Sequence, residues 1–301
     1  MQGKDNVFDK PKGETRLALV ILRREKVVAK KPTLFISSQS FKHFLIFKVM
    51  KKILFVAAAL LATIGTMQAQ NVQLHYDFGR DMNKALNADN GSRPRMTVTY
   101  ETFSADKWGS WFYFVDLDFY SRGMQGAYTE ISREFTVAKP TENLSLAAHI
   151  EYNGGFGVGR RSTWSSIYQQ CALIGPALNG HNADFSTTWS VQAMYKQFFK
   201  DAYDNKAYPS FQLTGVWSTT FCNKALTFSG FADLWRGEKA NGHGQLVFLT
   251  EPQLWYNFNT LVDGLNLSVG TEWEFSNNFV VNNYDGKTCF VNPTLALKWS
   301  F

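Results

Sequence analysis

The sequence predicts an all-β fold, an antiparallel transmembrane β-barrel of about 12 strands. Three observations carry this reading. A secretory leader sits inside the chain at Met50, the residues after it fall into short segments that alternate apolar and polar side chains, and the final segment ends on an aromatic residue.

The leader begins Met50-Lys51-Lys52, continues through the apolar run Ile53 to Ile64, and ends near Ala69. A basic start, a short apolar stretch and a small residue at the end define a secretory signal peptide. The run is too short to cross a bilayer as a helix, which takes about 20 apolar residues. Residues 50–69 are therefore read as a signal peptide, with cleavage expected after Ala69, although Met67 is larger than usual for its position. Residues 1–49 are read as an upstream extension from a misplaced gene start, a long basic leader being the alternative.

This division changes the meaning of the charge. Residues 1–69 hold 13 Lys and Arg against 4 acids, which leaves 18 against 21 in residues 70–301, a net charge of −3. The basic character of the whole chain thus lies in the leader, and a nucleic-acid partner loses its electrostatic basis. Residues 70–301 keep all nine Trp and all twelve Tyr and show no linker that would separate a second domain. Cys171, Cys222 and Cys289 form no CxxC pair, which excludes a zinc-finger spacing. Two of them could pair in an oxidising compartment, or all three could be ordinary wall residues.

The segments fall near 71–79, 95–104, 109–120, 127–138, 143–153, 164–176, 186–199, 209–220, 225–236, 245–258, 265–277 and 288–301. In the first, Val72, Leu74, Tyr76 and Phe78 alternate with Gln73, His75 and Asp77. The fifth sets Leu144, Leu146, Ala148, Ile150 and Tyr152 against Ser145, Ala147, His149 and Glu151. In the eleventh, Leu265, Leu267, Val269, Thr271, Trp273 and Phe275 oppose Asn266, Ser268, Gly270, Glu272 and Glu274. Such a period of two puts one set toward lipid and the other toward a lumen. An even number of strands returns both termini to one side, and the longer breaks, such as 80–94 and 278–287, follow odd strands. The last segment reads Leu295-Ala296-Leu297-Lys298-Trp299-Ser300-Phe301, and Trp299 and Phe301 resemble the terminal signal read by barrel-assembly machinery. A soluble β-sandwich also alternates, but it needs neither a leader nor an aromatic terminus.

A more specific likeness lies in 99–175. Thr99-Tyr100-Glu101-Thr102-Phe103, Asp106-Lys107-Trp108 and Phe112-Tyr113-Phe114-Val115-Asp116 resemble the opening strands of the Tsx-type nucleoside-specific channels. Thr129-Glu130-Ile131-Ser132-Arg133-Glu134-Phe135 and Arg160-Arg161-Ser162-Thr163-Trp164 are similar to two further runs of that family, although a Pro expected near Glu134 is absent. Beyond residue 180 only architecture and the terminal aromatic match. The resemblance implies a narrow, non-enzymatic 12-stranded barrel in the outer membrane, holding nucleosides at aromatic rings beside ionisable groups.

Strand phase supplies candidates independently. Phe112, Phe114, Asp116 and Asp118 share the inward face of one strand, as do Phe231, Asp233 and Trp235 of another, and Glu272 and Glu274 of a third. Rings offer stacking faces for a base, each worth roughly 1–3 kcal/mol, and carboxylates accept from sugar hydroxyls and amino groups. The same rings would equally serve to fill a small barrel. Arg133 shares its phase with Ile131 and Phe135, which calls for a bulge near Ser132 or a place at the rim. Gly154 to Gly159 reads as an external loop, because no helix follows to complete a phosphate-binding turn. His149 faces the lumen with Glu151 where a barrel hydrolase would need a Ser. No catalytic residue, metal ligand or cofactor is expected. The partners expected are outer-membrane lipid, lipopolysaccharide, the assembly machinery and small solutes, nucleosides first. A plugged structural or adhesive barrel is the alternative.

Overall fold

The computed structural model describes residues 67–79, 94–120, 123–158, 165–201, 205–238, 243–279 and 288–301. The upstream extension and most of the leader lie outside the described residues.

The expected closed antiparallel barrel is present. Its strands are β1 (Met67–Asp77), β2 (Met96–Asp106), β3 (Gly109–Tyr120), β4 (Gly123–Thr141), β5 (Leu144–Val158), β6 (Ser165–His181), β7 (Thr187–Phe198), β8 (Tyr208–Phe221), β9 (Leu226–Glu238), β10 (Gly244–Thr250), β11 (Gln253–Asn257), β12 (Leu267–Asn277) and β13 (Cys289–Ser300). Each except the pair β10 and β11 bonds to its neighbour in sequence, and β1 closes on β13 through Asn71 opposite Ser300 to Asp77 opposite Thr294. The strands β10 and β11 form one stave, since both lie between β9 and β12 in a continuous register. The interruption is Glu251-Pro252, where proline has no N–H to give to the ladder. The neighbouring bonds survive: Glu251 N–H donates to Phe231 O at 3.1 Å, and Trp273 N–H donates to Pro252 O at 3.0 Å. The wall therefore has the 12 staves expected.

Alternation decides which face is which. Gln73, His75 and Asp77 are buried while Val72, Leu74 and Tyr76 are exposed. The same split recurs around the wall, with Leu146, Ile150, Ile174, Val191, Tyr195, Leu213, Leu246, Leu295 and Leu297 all exposed. A continuous apolar girdle of this extent is stable only against lipid or another apolar phase. Trp299 and Phe301 belong to this outward set, and Phe301 N–H donates to Gln70 O at 3.0 Å on the closing seam.

One expectation is revised, and one left open between two alternatives is decided. The glycines Gly154, Gly155 and Gly157 are part of β5, not of a loop. A ladder needs only backbone partners, and Gly155 and Gly157 find theirs in Tyr128 and Gly126. Arg133 faces outward with no bulge beside it, since its register to Trp111 and Ile150 is regular. It lies near the hairpin joining β2 and β3, where its guanidinium donates to Asp106 at 2.8 Å and stands 5.1 Å from the Trp111 ring and 4.9 Å from that of Phe135. Sandwiched in this way it is only 4% exposed. The rim position resolves the conflict, because a charge there costs about 0–1 kcal/mol rather than the midplane penalty.

Candidate functional site: the barrel lumen

The lumen face of β3 is Phe112, Phe114, Asp116 and Asp118, in the phase the sequence gives them. Phe112 lies opposite Phe103 and Ser132, Phe114 opposite Glu101 and Glu130, Asp116 opposite Thr99 and Tyr128, and Asp118 opposite Thr97 and Gly126. Thr99 donates to Asp116 at 2.5 Å and Thr97 to Asp118 at 2.9 Å, so the threonines of β2 fix both carboxylates. The two phenyl rings are not alone. Centroids run from Phe112 to Phe114 at 6.0 Å, on to Tyr128 at 6.0 Å and then to Tyr168 at 5.6 Å. These spacings are within the range of favourable ring contacts. The result is a ladder climbing from the third of the barrel near the termini toward the opposite mouth.

Two devices build its upper rungs. Tyr128 shares the phase of Glu130, to which its hydroxyl donates at 2.7 Å. Tyr168 reaches the lumen because the β5–β6 register shifts between Asn153 and Gly155, setting Tyr168 opposite Gly155. A Cβ at Gly155 would stand 2.7 Å from the Tyr168 ring, so glycine is what lets the ring lie against the wall.

Below the ladder, His149 is held between two carboxylates, its Nδ1 3.2 Å from Glu134 and its Nε2 3.0 Å from Glu151, while Asn179 donates to Glu134 at 2.6 Å. Both ring nitrogens thus face acids, which leaves neither to activate a nucleophile. Among the described residues no group of His, Cys, Asp and Glu could hold a metal ion. The three cysteines are free, Cys171 buried and Cys222 and Cys289 exposed.

The other candidates stand apart from the ladder. Asp233 accepts from Thr214 at 2.5 Å. Trp235 packs against an apolar cluster of Cys171, Leu173, Met194 and Phe198, together with Tyr208. Lys196 enters that cluster, its Nζ 5.1 Å from the Phe198 ring and 4.9 Å from the Trp235 ring, and it donates to Gln212 at 2.7 Å. Here Trp235 fills space.

Glu272 belongs to a third arrangement that sequence reasoning missed. Trp255, 0% exposed, donates to Gln253 at 2.9 Å, and Gln253 donates to Glu272 at 2.6 Å. Lys298 Nζ lies 4.0 Å from the Trp255 ring, and His75 meets the ring edge-on at 6.1 Å. His75 is 3.6 Å from Glu272 and hydrogen-bonds Gln73, and Asn71 donates to Glu101 at 3.2 Å. Beyond Lys298, at the mouth beside the termini, opens a polar cavity of about 300 Å³ bordered by Lys224, Asn257, Asn266 and Ser268. Glu274 lies further along β12, accepting from Ser276 at 3.4 Å and Asn292 at 3.3 Å.

Carboxylates reach this lumen from β1 to β5 and from β9 to β12, while β6 to β8 and β13 carry none. Asp77, Glu101, Asp116 and Asp118 come from β1 to β3, and Glu130, Glu134 and Glu151 from β4 and β5. Asp233, Glu251, Glu272 and Glu274 come from β9 to β12.

The chain belongs to a family described as a domain of unknown function (DUF5020), whose model matches residues 69–301. Among curated proteins none matches the sequence. Solved structures that are similar include the NanC porin, 12% identical over 77% of this chain and 98% of that one, with a TM-score of 0.47. They also include OccAB3 of Acinetobacter baumannii, at 10% identity over 69% of this chain and 55% of that one, TM-score 0.38. LpxR from Salmonella typhimurium is 7% identical over 77% of this chain and all of that one, TM-score 0.39. None reaches 0.5, and none bears on what this lumen carries.

Proposed function

We propose that the protein is a narrow diffusion channel of a bacterial outer membrane, passing small hydrophilic solutes, with nucleosides as the preferred class and no catalytic activity. The observation that carries this reading is the ladder Phe112, Phe114, Tyr128 and Tyr168 with Asp116, Asp118 and Glu130 beside it on the same lumen strip. A track of rings offers a base one stacking face after another, each worth roughly 1–3 kcal/mol. Carboxylates along the track accept from ribose hydroxyls and exocyclic amines. The likeness of 99–175 to the Tsx-type channels points the same way. In this reading the termini face the periplasm, and lipopolysaccharide surrounds the opposite rim.

A closed barrel serving a structural or adhesive role is the second reading, and the packing around Trp255 is the observation that favours it. Planar-bilayer conductance separates the two. The channel reading expects single-channel steps that adenosine or uridine reduce. Conductance untouched by either nucleoside would remove the nucleoside assignment and leave a generic pore. Absence of conductance in correctly folded protein would favour the closed barrel.

A further inference from the structure

We infer that the lumen selects for cations, and that small solutes pairing an aromatic ring with an ammonium group bind along the β3–β6 strip better than their neutral or anionic counterparts. This rests on the channel reading of the preceding section and names the charge class of what that channel admits.

The first argument is the balance of fixed charge. Against the carboxylates of β1 to β5 and β9 to β12, the lumen phase of the described strands carries Lys196 and Lys298, with His149 held between Glu134 and Glu151. Lys196 is held by Gln212 and two rings, and Lys298 by the Trp255 ring. Carboxylates of one sign in a confined, low-dielectric passage focus their field and raise the local concentration of counter-ions. Acidic linings of this kind make cation channels.

The second argument is a single atom. Asn153, 3% exposed, lies on the lumen phase of β5 directly opposite Glu130, and its Oδ1 has no hydrogen-bond partner. A buried acceptor without a donor is left with its desolvation uncompensated. It stands next to a carboxylate and within the strip of the ladder. What this corner lacks is a donor, and an ammonium group supplies up to three on one charge.

The third argument is the rings. Phe114 and Tyr128 flank Glu130 and Asp116, so a bound solute meets π faces and carboxylates together. A cation over an aromatic face is attracted by the ring quadrupole, an attraction a neutral group lacks. A neutral base takes the stacking but not the Coulomb attraction, and an anion is repelled throughout. Ammonium-bearing aromatics use every feature of the strip.

The test uses the folded, detergent-purified barrel in planar bilayers under a tenfold KCl gradient. The expected reversal potential has the sign of potassium permeation, with potassium favoured over chloride several-fold. Phenethylammonium should block current at concentrations about tenfold lower than benzyl alcohol, and phenylacetate should not block. Pairing Asp116→Asn with Glu251→Gln should lower the potassium preference. If that variant does not assemble, selectivity and block of the unmodified protein decide alone. Conductance that is unselective or favours chloride overturns the inference while leaving the channel intact. Equal block by phenethylammonium and benzyl alcohol overturns the ammonium site. Silence in the bilayer overturns the channel reading itself, and the inference with it.

Discussion

Two walls of one lumen are built to opposite ends. Along β3 and β4 the inward residues include rings in contact with one another and carboxylates each held by an adjacent residue or strand, as Asp116 is by Thr99 of β2 and Glu130 by Tyr128. Along β11, β12, β13 and β1 the inward residues reach across strands and close on one another around a tryptophan with no exposed surface. The first wall keeps faces free for a solute, while the second uses its polar groups to satisfy themselves. A narrow barrel needs both. Leaving every inward residue free would put too many unpaired polar groups in one passage, and pairing all of them would leave nothing to select with.

The comparison is broken most directly at Trp255. Replacing it with Ala removes the ring against which Lys298 and His75 pack and takes from Gln253 the shorter of its two donors, leaving Ser229 at 3.4 Å. Core Trp or Phe to Ala changes cost about 3–5 kcal/mol, so Trp255→Ala should unfold at a clearly lower temperature on heat-modifiable gels. If the packed wall narrows the lumen, conductance should also rise. Normal melting and unchanged conductance would mean that this wall is not a structural plug.

A smaller effect is expected on the open wall. Replacing Phe112 and Phe114 together by Ala should lower nucleoside affinity by between about fivefold and a hundredfold, the loss of one stacking contact of 1–3 kcal/mol. Melting should change less than for Trp255→Ala, because both rings border the lumen and not a closed core. Small-sugar flux should stay level or rise as the passage widens. Selective loss of sugar flux would contradict the assignment of these rings to recognition.

Why one wall was legible in the sequence and the other was not has a physical reason. Alternation is a property of a single strand, so it gave the inward phase of Phe112, Phe114, Asp116, Asp118 and Asp233 without any knowledge of partners. The same rule reaches Tyr128, which shares its face with Glu130, although its part in the ladder depends on Phe114 across the β3–β4 pair. Tyr168 is beyond the rule, because the register shift in β5–β6 changes phase and nothing local announces it. The Trp255 network joins β1, β2, β11, β12 and β13, and the barrel closure that brings β1 to β13 is a long-range event. Trp235 shows the limit from the other side: its inward phase was readable, but whether an inward ring stacks on solute or fills space depends on neighbours such as Phe198 and Tyr208.

The smallest expected effect lies outside both walls and tests that the lumen alone governs passage. Arg133 is a charged residue that strict alternation places on the lipid side. The structure gives it the Trp111 and Phe135 rings and the Asp106 carboxylate at the rim. Arg133→Gln removes the cation from between the rings, and Asp106 keeps the backbone N–H groups of Trp108 and Gly109 at 2.8 and 3.0 Å. The turn should therefore survive, with a stability loss on the order of 1 kcal/mol from the cation–π contacts and a modest drop in melting temperature. Ion selectivity and solute block should be unchanged, because no lumen group is altered. A shift in selectivity comparable to that of a lumen carboxylate variant would mean that Arg133 contributes to the passage after all. The outward assignment of the β4 rim would then fall.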